Sequence, residues 1–320
     1  MMEAASSRLA RARSRARSIS PSAFRRLAAL ALGSLFVVVA TGAVVRLTAS
    51  GLGCDNWPRC GNTPFPEKDF HALVEFGNRV VALGAMGCTA IAAIASRRVA
   101  RLPGWIRWAA PAVAVSVVAQ IPLGGLTVIF DLHPLLVMSH FLLAFAAVGL
   151  ATAVLVGADR FAKRRSESTL PPWLPWLALT LLPAALVVVV TGAFATAAGP
   201  HSGGSDIERF GNVLDAVYVH VRATAVFGVG FLLLVLALVR YRNRARGELR
   251  VAAGVLGVLL LQMIVGEIQW RNGLPWGLVL VHVTLATAVW AGVVALAARV
   301  WTHPRTEASP TASHLRASSH

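Results

Sequence analysis

The sequence predicts an all-α polytopic membrane protein: eight transmembrane helices forming two tandem four-helix bundles related by a parallel internal repeat. Three observations carry this expectation. Of 320 residues, 56% are hydrophobic and 14% charged. The apolar residues gather into blocks of about twenty, the length a helix needs to cross a bilayer. The second half of the chain then repeats the pattern of the first. Lipid-exposed backbone must satisfy its hydrogen bonds within the segment, and no block shows the alternation of a barrel strand, so each reads as a helix.

The blocks fall at 27–47, 72–95, 105–129, 135–157, 174–197, 213–239, 250–270 and 277–299. The first follows a basic stretch, Arg8 to Arg26, that has no cleavage-site pattern and reads as a disordered tail, residues 1–26. The second contains the polar run "EFGNR" and ends before Arg97 and Arg98; the third opens at Trp105 and Trp108. The fourth contains His140 and runs out at the basic segment 160–165, within a linker over 158–173. Trp173 and Trp176 open the fifth, the sixth contains His220 and ends at a basic segment over 240–250, and Trp270 closes the seventh. The eighth runs from Trp276 past His282 to Trp301, beyond which residues 301–320 form a polar tail. Tryptophans at span ends are what interfacial anchoring produces.

A net charge of +16 raises the question of a nucleic-acid partner. The placement of the basic residues excludes it. Most lie in the two tails and the segments 97–107, 160–165 and 240–250, which an eight-span topology puts on one side, and the positive-inside rule assigns that side to the cytoplasm. The protein is thus expected in the cell membrane with both termini cytoplasmic. Loops 49–70 and 198–212 then lie outside. Cys54 and Cys60 bracket "DNWPR" in the first of them, where a structural disulfide, a redox-active pair and two free thiols all remain open; Cys88, mid-helix, reads as a small core residue.

"LVMSHFLLAFA" (136–146) and "LVLVHVTLATA" (278–288) align without gaps at an offset of 142, with six of eleven positions identical. The same offset pairs Gln120 with Gln262, Gly124 with Gly266, and "EFGNRVVA" with "VYVHVRAT", so that Asn78 matches His220; "TGA" at 41 recurs at 191. The halves are therefore 27–157 and 174–300. Asn78, His140, His220 and His282 occupy four equivalent positions, five to seven residues into their spans, or about 10 Å below the surface at 1.5 Å per residue.

Imidazoles in hydrocarbon are costly without a partner and are usually functional. Two on neighbouring helices, with no Cys or carboxylate beside them, suit axial ligation of a haem rather than a tetrahedral metal site. His220 and His282 thus form a candidate bis-histidine haem site. In the first half Asn78 replaces one ligand and Glu75 stands where the second half has Val217. Glu75 and Asn78 share a helix face at i, i+3, which His71 extends outward. A carboxylate at that depth needs a proton or a cation, so Glu75 is a candidate for proton handling or for a plain pair with Arg79. One half reads as equipped for chemistry, the other for electron transfer.

"TGAVVRLTASGLGCDNWPRC", then "HALVEFGNRVVA", with the paired histidines of the last spans, resembles haem A synthase of the bacterial type with a cysteine pair in the first external loop, over about residues 27–300. The resemblance implies an oxidoreductase that converts haem O to haem A by oxidising the C8 methyl to a formyl group through successive hydroxylations. It implies His220 and His282 as axial ligands of a resident haem b, His140 as ligand to the substrate iron, Glu75 as catalytic, and a Cys54–Cys60 disulfide. Asn78, where the family has histidine, leaves His140 as the sole ligand and the other face open, with His71 the alternative ligand. Arg79 is expected in the substrate site, and Arg46 and Arg222, with Arg79, to meet haem propionates. Trp57 and the prolines of "NTPFP" are candidates for a lid. The implied partners are haem O, membrane lipid, the haem O synthase (a farnesyltransferase) and an electron donor that the sequence does not identify.

Two other classes compete: a b-type cytochrome that only carries electrons and a haem or small-molecule transporter. The first needs two complete ligand pairs, and Asn78 breaks one. The second needs broken helices at matched depths, and only "PLGG" near 122 interrupts a span.

Overall fold

In the computed structural model, residues 18–54, 57–60, 65–66, 68–163, 170–204 and 207–301 are described. They form eight α-helices: α1 (Pro21–Leu47), α2 (Phe70–Arg98), α3 (Gly104–Ile129), α4 (Pro134–Ala162), α5 (Trp173–Ala198), α6 (Val213–Arg240), α7 (Arg246–Arg271) and α8 (Trp276–Val300). All eight are long and apolar enough to cross a membrane, and among the described residues there is no strand. The most apolar 18-residue stretch of α2 has a mean hydropathy of 1.6, the lowest of the eight, and the same helix carries Glu75, Asn78 and Arg79 nearer its start.

The helices overrun the apolar blocks because capping, not hydropathy, sets their ends. α1 begins at Pro21, six residues earlier than expected, where the Ser20 hydroxyl accepts from Ala23 N and proline at the first position needs no donor partner. Phe24, assigned by sequence to the tail, is fully buried. Asp69 and Asn212 cap α2 and α6 in the same manner. The rest of the N-terminal tail, through residue 17, and the C-terminal tail from 302 lie outside the described residues.

Two separate cores organise the bundle. Phe24, Leu35, Ile106, Phe145 and Val148 belong to the first, built from α1 to α4 with Ala291 of α8; Leu174, Phe227, Phe231, Leu234 and Leu296 belong to the second, built from α5 to α8. The seam between them runs along α4 and α8. Trp290 of α8 is packed against both cores and donates from Nε1 to Phe145 O at 2.8 Å. Gly149 makes room for that indole, since a Cβ there would lie 2.9 Å from Nε1.

One end of the bundle is basic, and ion pairs between helices tie it together: Arg25 of α1 to Asp159 of α4 at 3.3 Å, and Arg299 of α8 to Glu248 of α7 at 3.8 Å. At the other end the two long loops bond to each other through Gly51 N and Gly203 O, 2.9 Å apart. The residues with chemistry lie below that loop end.

Candidate functional site

His220 of α6 and His282 of α8 face each other with ring centroids 6.5 Å apart and planes at 72°. Each ring presses on a glycine of the helix behind it. A Cβ on Gly192 would lie 3.0 Å from His220 Cε1, and one on Gly266 3.1 Å from His282 Cε1. His220 Nδ1 meets Thr191 Oγ1 at 3.2 Å, whereas no side-chain group meets the buried His282 Nδ1. Helices α6 and α7 touch only sparsely, while α2 and α3, in the same places of the first bundle, pack closely. Imidazole nitrogens bond metals at about 2 Å, so two rings opposed at this spacing can hold one metal centre between them.

The first bundle places its residues in the same contacts. A Cβ on Gly124 would lie 3.2 Å from His140 Cε1, one on Gly42 3.9 Å from Asn78 Oδ1, and Thr41 Oγ1 is 2.7 Å from Asn78 Oδ1. Gln120 donates to His140 O at 3.2 Å. Gln120 Oε1 and Gln262 Oε1, on α3 and α7, are both buried without a partner, as is His140 Nδ1.

Glu75 is 6% exposed, and both its carboxylate oxygens are engaged. Arg79 Nη2 donates to Oε1 at 2.5 Å, and the backbone N–H of Cys54 donates to Oε2 at 2.9 Å. The cation is therefore supplied from one turn along α2, and the second donor from the loop. Arg79 also donates through Nη1 to Pro58 O and Arg59 O, at 3.2 and 3.0 Å. Cys54 and Cys60 are disulfide-bonded, so the ring they close holds both groups that grip Glu75. The loop comes this close because residue 53 is glycine: a Cβ there would sit 2.4 Å from His71 C.

His71 is at the exposed start of α2, with Nδ1 2.9 Å from Ser50 Oγ. Trp57 lies across α3 at Gly125, where a Cβ would be 2.7 Å from Cε2, one residue from the glycine under His140. Of "NTPFP", Asn62 to Pro64 lie outside the described residues. Arg46 is committed to backbone carbonyls, donating to His201 O at 2.8 Å and Thr196 O at 2.7 Å, and so fastens α1 to the second long loop. Arg222 stacks on the ring of Tyr218, 3.8 Å from its centroid, and donates to the Tyr218 hydroxyl. His201 donates from Nε2 to Leu274 O, 2.7 Å away, and Glu267 pairs with Arg271.

Sequence reasoning passed over Thr41, Thr191, Ser50 and Trp290. The threonines were within reach, since both belong to the repeated "TGA". Ser50 and Trp290 carry no such signal, because their partners lie on other elements.

Residues 25–294 match the family described as COX15-CtaA, cytochrome oxidase assembly protein. Among relatives, the chain is 28% identical to a haem A synthase of Symbiobacterium thermophilum, over 80% of this chain and 88% of that one. It is 30% identical to a haem A synthase of Bacillus licheniformis, over 51% of this chain and 55% of that one. With a haem A synthase of Geobacillus kaustophilus it shares 32% identity over 39% of each. The matched part thus spans about half or less of the Bacillus and Geobacillus proteins, and most of the Symbiobacterium one. The family match takes in all the residues above that face one another inside the two bundles, and with more than half of the chain inside it, the protein belongs to the COX15-CtaA family of cytochrome oxidase assembly proteins.

Proposed function

We propose that the chain is a haem A synthase, an oxidoreductase that oxidises the C8 methyl of haem O to a formyl group by successive hydroxylation. The observation that carries the reading is the opposition of His220 and His282 at 6.5 Å, with the matching positions of the other bundle beside a buried carboxylate. The second bundle fits a resident haem b. Its two imidazoles stand 6.5 Å apart, glycines stand behind both rings, and α6 and α7 leave the bundle open between them. Held by His220 and His282, haem b supplies electrons one at a time.

The first bundle takes haem O as substrate, with His140 as the protein ligand to its iron. The neutral amide of Asn78 is a poor iron ligand and leaves that face open. Glu75 handles the proton that each hydroxylation moves. Arg79 and the Cys54 N–H keep its carboxylate in one orientation, so the group does not spend reorganisation at the moment of transfer. Trp57 excludes water from above. Arg79 and Arg222 lie at the loop end, at a depth where haem propionates want cations; Arg46 is bound to carbonyls there. The basic end faces the cytoplasm, which puts the disulfide loop outside the cell membrane. Haem O arrives from the haem O synthase, and a separate donor reduces haem b.

The test is conversion by the purified protein of haem O, with an electron source and air, followed by extraction and mass identification of the porphyrin. The formyl product is expected. Unchanged haem O from a preparation that carries haem b would remove the catalytic assignment and leave an electron carrier.

A further inference from the structure

Thr191 stands at a crossing of two carbonyl acceptors and one imidazole nitrogen, and its hydroxyl has one proton to give. Oγ1 is 2.8 Å from Val187 O and 3.1 Å from Val188 O, two backbone carbonyls of its own helix that can only accept. The proton goes to them. What Oγ1 presents to His220 Nδ1, 3.2 Å away, is a lone pair, and a contact of that kind is a hydrogen bond only if Nδ1 carries a proton. A neutral imidazole has a single N–H, so Nε2 is then the bare nitrogen. Gly192, the next residue, completes the seat by leaving no Cβ to push the ring off the helix.

We infer that Thr191 is a positioning residue which holds His220 as the Nδ1–H tautomer and fixes its ring plane, readying Nε2 as a ligand before any metal arrives. This rests on the haem b reading above. The two ligands are thereby made unequal. No hydroxyl stands beside His282 Nδ1, so the side-chain acceptor of the pair comes from the α5 side. An acceptor on Nδ1–H makes the opposite nitrogen a stronger electron donor, which favours ferric over ferrous iron. In the first bundle the same place is held by Thr41, whose hydroxyl instead donates to Asn78 Oδ1 at 2.7 Å, so the accepting role is particular to the threonine that meets a histidine.

The experiment uses the full chain purified with its haem, as Thr191→Val and Thr191→Ser. The readouts are haem content, the midpoint potential of the haem and its low-temperature electron paramagnetic resonance spectrum. Valine matches threonine in shape and removes only the hydroxyl. Thr191→Val is expected to keep haem, to shift the ferric–ferrous equilibrium toward ferrous by up to tenfold, about 59 mV upward for one electron, and to alter the spectral anisotropy as the ring plane is released. Thr191→Ser is expected to restore both parental values. Loss of haem from Thr191→Val with retention in Thr191→Ser also supports the inference, because only the hydroxyl separates them. It is overturned by a haem-loaded Thr191→Val whose potential is unchanged or lower, or by loss of haem from both variants. A parent protein that binds no haem overturns the haem b reading, and this inference with it.

Discussion

The backbone N–H of Cys54 donates to the carboxylate of Glu75 across 2.9 Å, so the loop that carries the disulfide and the span that carries the acid are one structural unit. Arg79 closes the unit from the other side, reaching Glu75 with one nitrogen and the carbonyls of Pro58 and Arg59 with the other.

Under the proposed function, opening the disulfide ring should therefore weaken the chemistry without touching the second bundle. Cys54→Ser with Cys60→Ser is expected to keep haem b at parental content and to lose ten-fold or more of its formyl product. Closing this short ring contributes about 2 kcal/mol by chain entropy, so a lowered thermal midpoint should accompany the loss. Full product formation in the double variant would show that the ring does not position Glu75.

Removing the acid is a stricter test of the same unit. Glu75→Gln keeps the shape and a hydrogen-bond acceptor for Cys54 N–H but cannot take a proton. Haem b should stay and haem O should be recovered unchanged on extraction. Substantial formyl product from this variant would assign proton handling elsewhere.

His220→Ala and His282→Ala should each empty the second bundle of haem, measured as the pyridine haemochrome content of purified protein. In the parent, planes at 72° predict a strongly anisotropic low-spin signal rather than the rhombic one given by parallel rings. Full haem content in either variant would place the ligands on other residues.

Asn78→His restores the pattern of the second bundle in the first. Added ferric haem bound there should change from a high-spin to a six-coordinate low-spin spectrum, since Asn78 and His140 make the contacts that His220 and His282 make. An unaltered spectrum would mean that position 78 does not face the iron.

Acid should loosen the loop end of α2 through Asp69. The amide N–H of Ala72 holds this exposed carboxyl below the usual carboxylate range, with that of His71 adding to it. A carboxyl lowered in the folded state stabilises at pH values above its ordinary range, and that stabilisation fades as pH falls through the lowered value. Asp69→Asn keeps a capping oxygen but cannot titrate. Its thermal midpoint should fall less than the parent's between pH 6 and 3, and parallel curves would remove Asp69 from the acid response.

Residue by residue, the sequence determined the eight spans and the four positions inside them. Hydropathy acts along the chain: each span must bury its own backbone hydrogen bonds in lipid whatever its neighbours do, so twenty apolar residues suffice to announce it. The offset of 142 paired Asn78 with His220 and His140 with His282 for the same reason, since position along a span is depth. Tertiary structure alone decided that His220 and His282 oppose at 6.5 Å, that Arg46 is taken up by the carbonyls of Thr196 and His201, and that Cys54 reaches Glu75. Those are contacts of a few ångström between elements remote in the chain. They depend on which glycines let backbones approach and on how the loops cross the bundle, and neither is written in the hydropathy of any single segment.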